Sequence, residues 1–310
     1  MGAVSARVAR VGRNIRTAGE AMELFVVHNP QAGDGSWSRE RLERMLRERG
    51  HAPTIVDAAS DWTPRLQGIA PDAFVAVGGD GTFQRLAVAA AGRPEPIAIL
   101  PTGTANNIAL ALGGSEPLDL AERVARWGER ERVLHLGEAR VGSRRRPFVE
   151  VAGAGAFVRL LGHKPRVGGR IPADSDLFAG RQRLVEEIRD ADAYPATLTV
   201  DHDIIIEDDF LLIACLNLPS FGAGVVLAPA ESADSGLLTV CAVRAGERAA
   251  FADWLMAPEP DPPAWVLARG HDVVLETAAL THLDDRIWPA RPASEPIHLE
   301  AGVASVRVWS

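Results

Sequence analysis

Three apolar segments in the first half of the chain each run into a loop rich in glycine, asparagine or threonine, and a helical pattern follows each loop. The segments span residues 24–28, 73–77 and 97–100, and none alternates polar with apolar residues. Strands without alternation are buried on both faces, which is typical of a parallel sheet covered by helices. Ligands of such sheets bind beyond the carboxyl ends of the strands, where the three loops should gather. The repeat therefore predicts a three-layer α/β domain with its binding site at that edge.

The second loop, Gly78–Thr82, reads Gly-Gly-Asp-Gly-Thr between a buried strand and a helix. Glycines permit close backbone approach, and the amide groups at a helix N-terminus attract an anion. Phosphate would repel the Asp80 carboxylate unless that group holds a metal ion or accepts a proton from an attacking hydroxyl. A tight turn with Asp80 as a helix cap is the structural alternative. Because residues 29–35 and 102–107 supply two more loops, we expect a nucleotide pocket and phosphoryl transfer.

Basic residues limit how this chain can bind phosphate. Only one of its 33 basic residues is a lysine, Lys164, and it lies far from the three loops. A Walker A loop and a protein kinase each need a lysine on the phosphates, so both are excluded and backbone amides or arginine must serve instead. With 41 acidic residues the net charge is −8, so no nucleic acid partner is expected. The two cysteines form no disulfide framework and favour a cytoplasmic setting.

Beyond about residue 130 the pattern changes to short apolar runs separated by turns, with helical stretches at 174–189 and 247–256. We divide the chain into a disordered leader at 1–21, an α/β nucleotide-binding domain at 22–137 and a mostly β sandwich domain at 138–310. A membrane-surface helix, or a true start at Met22, are alternatives for the leader. No apolar run approaches the roughly 20 residues that a membrane helix needs.

These motifs, in this order, resemble the diacylglycerol kinase catalytic domain family, which includes bacterial lipid kinases and sphingosine kinases. The resemblance spans about residues 22–310. It rests on Asn29-Pro30 with Gly33, on Gly78–Thr82, on Pro101–Asn107, and on a later glycine-rich stretch that includes Asn217–Gly222, Gly224 and Ala228–Ala230. It implies a cleft between the two domains in which ATP, with Mg²⁺, phosphorylates a diacylglycerol-like lipid hydroxyl. Implied as nucleotide contacts are Asn29, Pro30, Gly33, Gly78, Gly79, Asp80, Gly81, Thr82, Gly103, Thr104 and Asn106, with Asp80 also as the metal ligand.

Four positions depart from the family pattern. Gln84 and Arg85 stand where Asn-Glu is usual, and Ser235 replaces an aspartate that helps to bind a second magnesium ion. That second metal site is therefore expected to be missing. Arg286 replaces the glutamate of an Asp-Gly-Glu signature that is taken as the general base, and arginine cannot accept a proton at neutral pH.

Three hypotheses survive these departures. The first is a working lipid kinase in which Asp80, Asp284 or Asp285 is the catalytic base, and arginines neutralise phosphate in place of metal. The second is a catalytically impaired relative that binds nucleotide or lipid as a sensor, since loss of a general base typically costs a factor of about 10² to 10⁴. The third is a kinase for another hydroxyl compound. Peripheral membrane contact and a homodimer are left open, and the cluster Arg144–Arg146 is either a solvated turn or a dock for anionic headgroups.

Overall fold

The computed structural model describes residues 20–113, 119–162, 177–229, 233–258 and 265–309. Residues 1–19 of the predicted leader, Lys164 and Ala230 lie outside these ranges. The strands are β1 (Glu23–His28), β2 (Ala52–Asp57), β3 (Ala73–Gly78), β4 (Ile97–Pro101), β5 (Glu131–Val141), β6 (Arg144–Phe148), β7 (Val151–Gly155), β8 (Tyr194–Val200), β9 (Ile204–Leu216), β10 (Ser220–Phe221), β11 (Val225–Val226), β12 (Leu238–Arg244), β13 (Val266–Gly270), β14 (Asp272–Thr277), β15 (Thr281–Leu283), β16 (Arg286–Ile287) and β17 (Ile297–Trp309). The helices are α1 (Arg39–Glu48), α2 (Asp80–Ala90), α3 (Asn107–Ala111), α4 (Leu120–Ala125), α5 (Ala156–Gly162), α6 (Leu177–Asp190) and α7 (Arg248–Met256), with 3₁₀ turns at Thr63–Leu66 and Ala245–Glu247.

The first half of the chain forms a parallel sheet with helices on both faces. Strands β2, β1, β3 and β4 lie side by side in that order, and every pair is parallel. Alternate residues of β1 serve opposite faces, because Phe25 and Val27 pack in one core with α2, whereas Leu24 and Val26 pack in a second core with α1 and α4. The predicted three-layer α/β arrangement is confirmed.

The apolar pattern did not predict strand β2, because this strand lies at the edge of the sheet. Only Ile55 and Val56 are buried in it, so it lacks the continuous apolar run of β1 and β3. Pro53 is tolerated there, since an edge strand leaves one row of backbone groups without a partner strand.

The second half is mostly antiparallel and supports the predicted β-rich class. Strands β16, β15, β7, β9, β8, β14 and β17 are hydrogen-bonded in that order, and β12 adds to β9. The predicted helical stretches correspond to α6 and α7. A bend at Val149 and Glu150 separates β6 from β7, although residues 148–151 are apolar apart from Glu150. None of the helices in the described ranges combines the length and apolarity needed to cross a bilayer.

The last strand, β17, joins the two halves of the chain. Its residues 297–300 pair with β14, while Val308 and Trp309 pair in parallel with β4. Strand β5 runs antiparallel to both parts of it. The pairing shifts near Gly302, whose φ of +70° lets the strand bend. The strand that we assigned to the second domain therefore also extends the parallel sheet of the first.

Candidate active site

The three predicted loops meet at the carboxyl edge of the parallel sheet. The Asn29 amide donates to the carbonyl oxygen of Val77 at 2.8 Å, and the Thr102 amide donates to that of Gly78 at 3.0 Å. Each loop is therefore tied by its backbone to the end of β3. Asn29 also shapes its own loop, because its Oδ1 accepts a hydrogen bond from the Gln31 amide at 3.1 Å.

Two glycines allow the loops to touch. Gly33 has a φ of +59°, and a Cβ atom built on it would lie 2.2 Å from the carbonyl oxygen of Thr102. A Cβ atom on Gly103 would lie 2.4 Å from the Cα atom of Gly79. Side chains at these positions are excluded, so the loops form one continuous floor of backbone, which we call the phosphate floor (residues 29–35, 78–82 and 101–106).

The remaining predicted contacts complete this floor. Asn106 adopts a left-handed conformation with a φ of 52°, and its side chain exchanges hydrogen bonds with the backbone of Gly103 at 2.8 and 3.1 Å. Thr82 packs directly on Gly78. Pro30 and Thr104 are half-buried at the rim. The Thr102 hydroxyl, which sequence reasoning did not select, is buried without a hydrogen-bond partner among the described residues and is thus available to a bound oxyanion.

Asp80 caps a helix, but not the helix in which it lies. Its Oδ1 accepts a hydrogen bond from the Ile108 amide at 3.0 Å, near the start of α3, whereas α2 has no side-chain cap. Burial raises the pKa of the Asp80 carboxyl, although the amides of Ile108, Asn107 and Asn106 oppose that shift. Its Oδ1 thus serves a backbone donor. The magnesium contact at Asp80 stays a prediction.

The Asp284 carboxylate also accepts hydrogen bonds from backbone amides. Its carboxylate accepts hydrogen bonds from the amides of Val149 at 3.0 Å, Glu150 at 2.7 Å and Val151 at 3.2 Å. This clamp explains the turn between β6 and β7. Burial raises the pKa of Asp284 to about 6, against the opposing effect of those amides. The carboxylate thus clamps the segment between β6 and β7, and its role as a proton acceptor stays a prediction.

Asp285 faces the phosphate floor from the second half of the chain. Its Oδ2 lies 4.0 Å from the point that a Cβ atom on Gly81 would occupy. The carboxylate is 44% exposed, and its nearest ion-pair partner is Arg286, with the Arg286 Nε at 3.6 Å from the Asp285 Oδ1. Of the predicted catalytic carboxylates, Asp285 is the one that stands open to solvent beside the Gly-Gly-Asp-Gly-Thr loop.

A third buried carboxyl, Glu150, was not selected from the sequence. Its Oε2 accepts a hydrogen bond from Gln84 Nε2 at 2.6 Å, so the unusual glutamine of the motif has a buried partner. Burial, and the nearby carboxyls of Asp80 and Asp284, raise the pKa of Glu150 well above its ordinary value. The signal was present, because Glu150 is a charged residue inside the apolar run 148–158.

The other departures have local partners. Arg85 donates hydrogen bonds to the carbonyl oxygens of Ala58 and Ser60, so it braces the connection after β2 rather than turning freely toward phosphate. Gly236, after Ser235, has a φ of +65° and lies against the His135 ring. Among the described residues, no group of three or more His, Cys, Asp or Glu side chains is arranged to hold a metal ion.

A cleft of about 1110 Å³ extends from Asp285 along the exposed face of α2. One side of it comes from α2 and the 3₁₀ turn at Thr63–Leu66, and the other comes from β6 and the β15–β16 turn. The cleft therefore lies between the two halves of the chain, and the exposed carboxylate of Asp285 stands where it meets the phosphate floor.

Comparison with known proteins agrees with this architecture. The sequence profile of the diacylglycerol kinase catalytic domain matches residues 23–138. A Pseudomonas aeruginosa protein named probable lipid kinase YegS-like is 32% identical over 234 residues, which cover 70% of each chain. A Salmonella heidelberg protein named probable lipid kinase YegS is 29% identical over 206 residues, or 63% of this chain and 62% of that one.

Solved structures share the fold over nearly the whole chain. A diacylglycerol kinase from Bacillus anthracis matches with a TM-score of 0.64 and 19% identity, covering 92% of this chain and 96% of the other. A yeast NADH kinase complexed with NADH matches with a TM-score of 0.50 and 10% identity, covering 94% and 83%. The predicted combination of an α/β domain with a β-rich second domain is thereby confirmed.

Proposed function

The chain belongs to the diacylglycerol kinase catalytic domain family, and on that premise we propose that it transfers the γ-phosphoryl group of magnesium-ATP to the hydroxyl of a lipid. The observation that carries the proposal is the position of Asp285, an exposed carboxylate 4.0 Å from the Cβ point of Gly81. It lies where the phosphate floor opens into the cleft, so a hydroxyl entering along the cleft would meet the acid and the γ-phosphate together.

The phosphate floor is suited to bind a triphosphate through its backbone. The first amides of α2, at Asp80 and Gly81, have no acceptor within the helix, and the helix dipole favours negative charge there. Gly79 and Gly103 leave no side chain above them, and the Thr102 hydroxyl adds a donor. Magnesium enters as part of the substrate, since this ion prefers phosphate oxygens and its own waters to an all-protein site.

In the proposed reaction the acceptor hydroxyl oxygen forms a bond to the γ-phosphorus, and the bond between that phosphorus and the β,γ-bridging oxygen breaks. ADP leaves with the bond electrons, and the hydroxyl proton passes to Asp285. Because this carboxylate is exposed, the proton can then escape to solvent. Asp284 and Asp80 stay bound to backbone amides and hold the two sides of the site in place.

The test is phosphoryl transfer from labelled ATP, in excess magnesium, to a panel of lipids and soluble alcohols. We expect Asp285→Asn to lower turnover by a factor of about 10² or more, while the affinity for ATP changes less than threefold. Asp192→Asn makes the same change on an exposed side chain outside the cleft and should leave turnover as it is.

Three results would contradict the proposal. Undiminished turnover by Asp285→Asn would remove Asp285 from the mechanism. Tight ATP binding by the wild-type protein with no transfer to any alcohol would favour a nucleotide sensor instead. Transfer only to soluble alcohols would assign the protein to the third hypothesis, a kinase for another hydroxyl compound.

A further inference from the structure

The bend between β6 and β7 is fixed by hydrogen bonds from two sides. The Asp284 carboxylate accepts from the amides of residues 149–151, and the Asp284 amide donates back to the carbonyl oxygen of Val151 at 2.8 Å. Asn217 donates to two other carbonyl oxygens of the bend, through its Nδ2 and its backbone amide, each at 2.8 Å. With its polar groups paired in this way, the bend forms one unit with Asp284 and therefore with the adjacent Asp285.

This unit reaches the first half of the chain through the side chain of Glu150. Its Oε2 accepts a hydrogen bond from Gln84 Nε2 on α2 at 2.6 Å, and the two residues are only 5% and 8% exposed. Val149 also packs in one core with Leu86 of the same helix. Apolar contact is non-directional, whereas a buried hydrogen bond has a preferred distance and angle. The Gln84–Glu150 pair therefore fixes the position of the bend along α2.

The pair lies close to the point where Asp285 faces the phosphate floor. Gly81 and Gln84 are three residues apart on α2, so they are neighbours on one face of the helix. Asp285 Oδ2 lies 4.0 Å from the Cβ point of Gly81, and the Gln84 contact follows one turn later. A change in the Gln84–Glu150 contact would therefore move Asp285 relative to Gly81.

We propose that the buried Gln84–Glu150 pair is a positioning device, which sets the distance between Asp285 and the phosphate floor. Both residues act through Asp285, and the pair thus controls the turnover number rather than the affinity for nucleotide. A misplacement of about 1 Å at a reacting group can cost a factor of about 10² in rate. The inference rests on the proposed function for its kinetic consequence, but the distance between the two halves of the chain can be measured without turnover.

The kinetic experiment removes the pair from each side and then reverses it. We expect Glu150→Ala and Gln84→Ala each to lower kcat by a factor of about 10 or more, while KM for ATP changes less than about threefold. The double alanine variant should lose no more than either single variant, because each substitution removes the same contact. Gln84→Glu combined with Glu150→Gln exchanges two side chains of equal length and should recover most of the lost turnover.

Leu46→Ala is the control for a loss of stability alone. Leu46 is fully buried on α1, in the core on the other face of the parallel sheet, and it is not part of the cleft lining. The folded fraction of each variant is measured by urea denaturation, and kcat is compared where every variant is folded. Leu46→Ala should then have the kcat of the wild-type protein. If Glu150→Ala does not fold, Glu150→Asp, which shortens the side chain by one methylene group, takes its place.

A second measurement follows the position of the two halves without substrate. Spin labels are attached at Glu48→Cys on α1 and Glu207→Cys on β9, two exposed positions, and the two native cysteines are too buried to react. Electron spin resonance then gives the distribution of distances between the labels in the full chain. We expect Glu150→Ala to broaden this distribution or to shift its maximum by about 1 Å or more, and the exchanged pair to restore it.

Several results would overturn the inference. They are an unchanged kcat in Glu150→Ala, losses that add in the double alanine variant, a rise in KM for ATP as large as the fall in kcat, and a distance distribution that does not respond. Absence of transfer by the wild-type protein, with a distance distribution that depends on Glu150, would instead refute the kinase function and leave the pair as the element that fixes the two halves. Transfer at the wild-type rate by both alanine variants would support the kinase and refute the positioning role.

Discussion

Replacing Glu150 with glutamine tests whether this buried carboxyl carries a proton in the folded protein. Glu150 is 5% exposed, and its Oε1 has no hydrogen-bond partner among the described residues. The Asn107 side chain lies within hydrogen-bonding reach, and its Oδ1 is likewise buried without a donor. If Glu150 carries a proton, its O–H group can donate to the Asn107 Oδ1, and both oxygens then take part in a hydrogen bond. Burial and the charges of Asp80 and Asp284 favour the same state, since they raise the pKa of Glu150 well above its ordinary value.

The expected difference in the free energy of unfolding follows from proton linkage. In the unfolded chain a glutamate has a pKa of about 4.3, so above that pH the folded protein binds one more proton than the unfolded chain. The free energy of unfolding of the wild-type protein then falls as pH rises, by about 1.4 kcal/mol per pH unit for this group, up to the folded pKa. Glutamine keeps the shape and the donor but cannot titrate. Between pH 5.5 and 6.5, Glu150→Gln should therefore gain about 1.4 kcal/mol relative to the wild-type protein.

Urea denaturation followed by circular dichroism, at pH 5.5, 6.0 and 6.5, measures this difference. Subtracting the two curves removes the contributions of Asp80 and Asp284, which titrate in both proteins. Glu43→Gln makes the same chemical change on the exposed, Arg47-paired side of α1 and should run parallel to the wild-type protein. A constant difference between Glu150→Gln and the wild-type protein across this range would refute the protonated state.

Three further substitutions test the rest of the site. Gly103→Ala should weaken ATP binding at least tenfold in calorimetry, because the added carbon would lie 2.4 Å from Gly79, whereas Gly246→Ala, with nothing within 4 Å, should bind normally. Asp284→Asn should lower the free energy of unfolding by about 2 kcal/mol in urea, since it removes a charged acceptor from three amides. Arg286→Glu should not raise phosphoryl transfer if Asp285 accepts the proton, whereas a tenfold rise would show that the natural protein is impaired by the loss of a carboxylate at position 286.

Local sequence predicted the phosphate floor well because its signals are short-range. A strand buried on both faces, such as β3, has a continuous apolar run, and the glycines that follow it indicate a loop in which backbone segments approach closely. The role of Asp284 could not be read in the same way. Its partners are the amides of residues 149–151, more than 130 positions earlier, and nothing near Asp284 in the sequence indicates that β15 will pair with β7.

Glu150 is an intermediate case. A glutamate within an apolar run predicts a buried charge that must find a partner or lose its charge. The sequence alone does not say which group that partner is, because Gln84 becomes adjacent only when α2 and the β6–β7 turn pack together. In the sequence, Gln84 and Glu150 are two unrelated observations. In the folded protein they form one hydrogen-bonded pair.

The positions that depart from the family pattern are not spread evenly over the site. Gln84, Arg85 and Arg286 line the cleft and Ser235 lies outside it, whereas the loops of the phosphate floor keep the family residues. If the protein had lost its reaction altogether, the loops that we propose bind the nucleotide would have had no more reason to keep the family residues than the cleft. Because all four departures lie outside the phosphate floor, we expect that the nucleotide is still bound and that the acceptor differs.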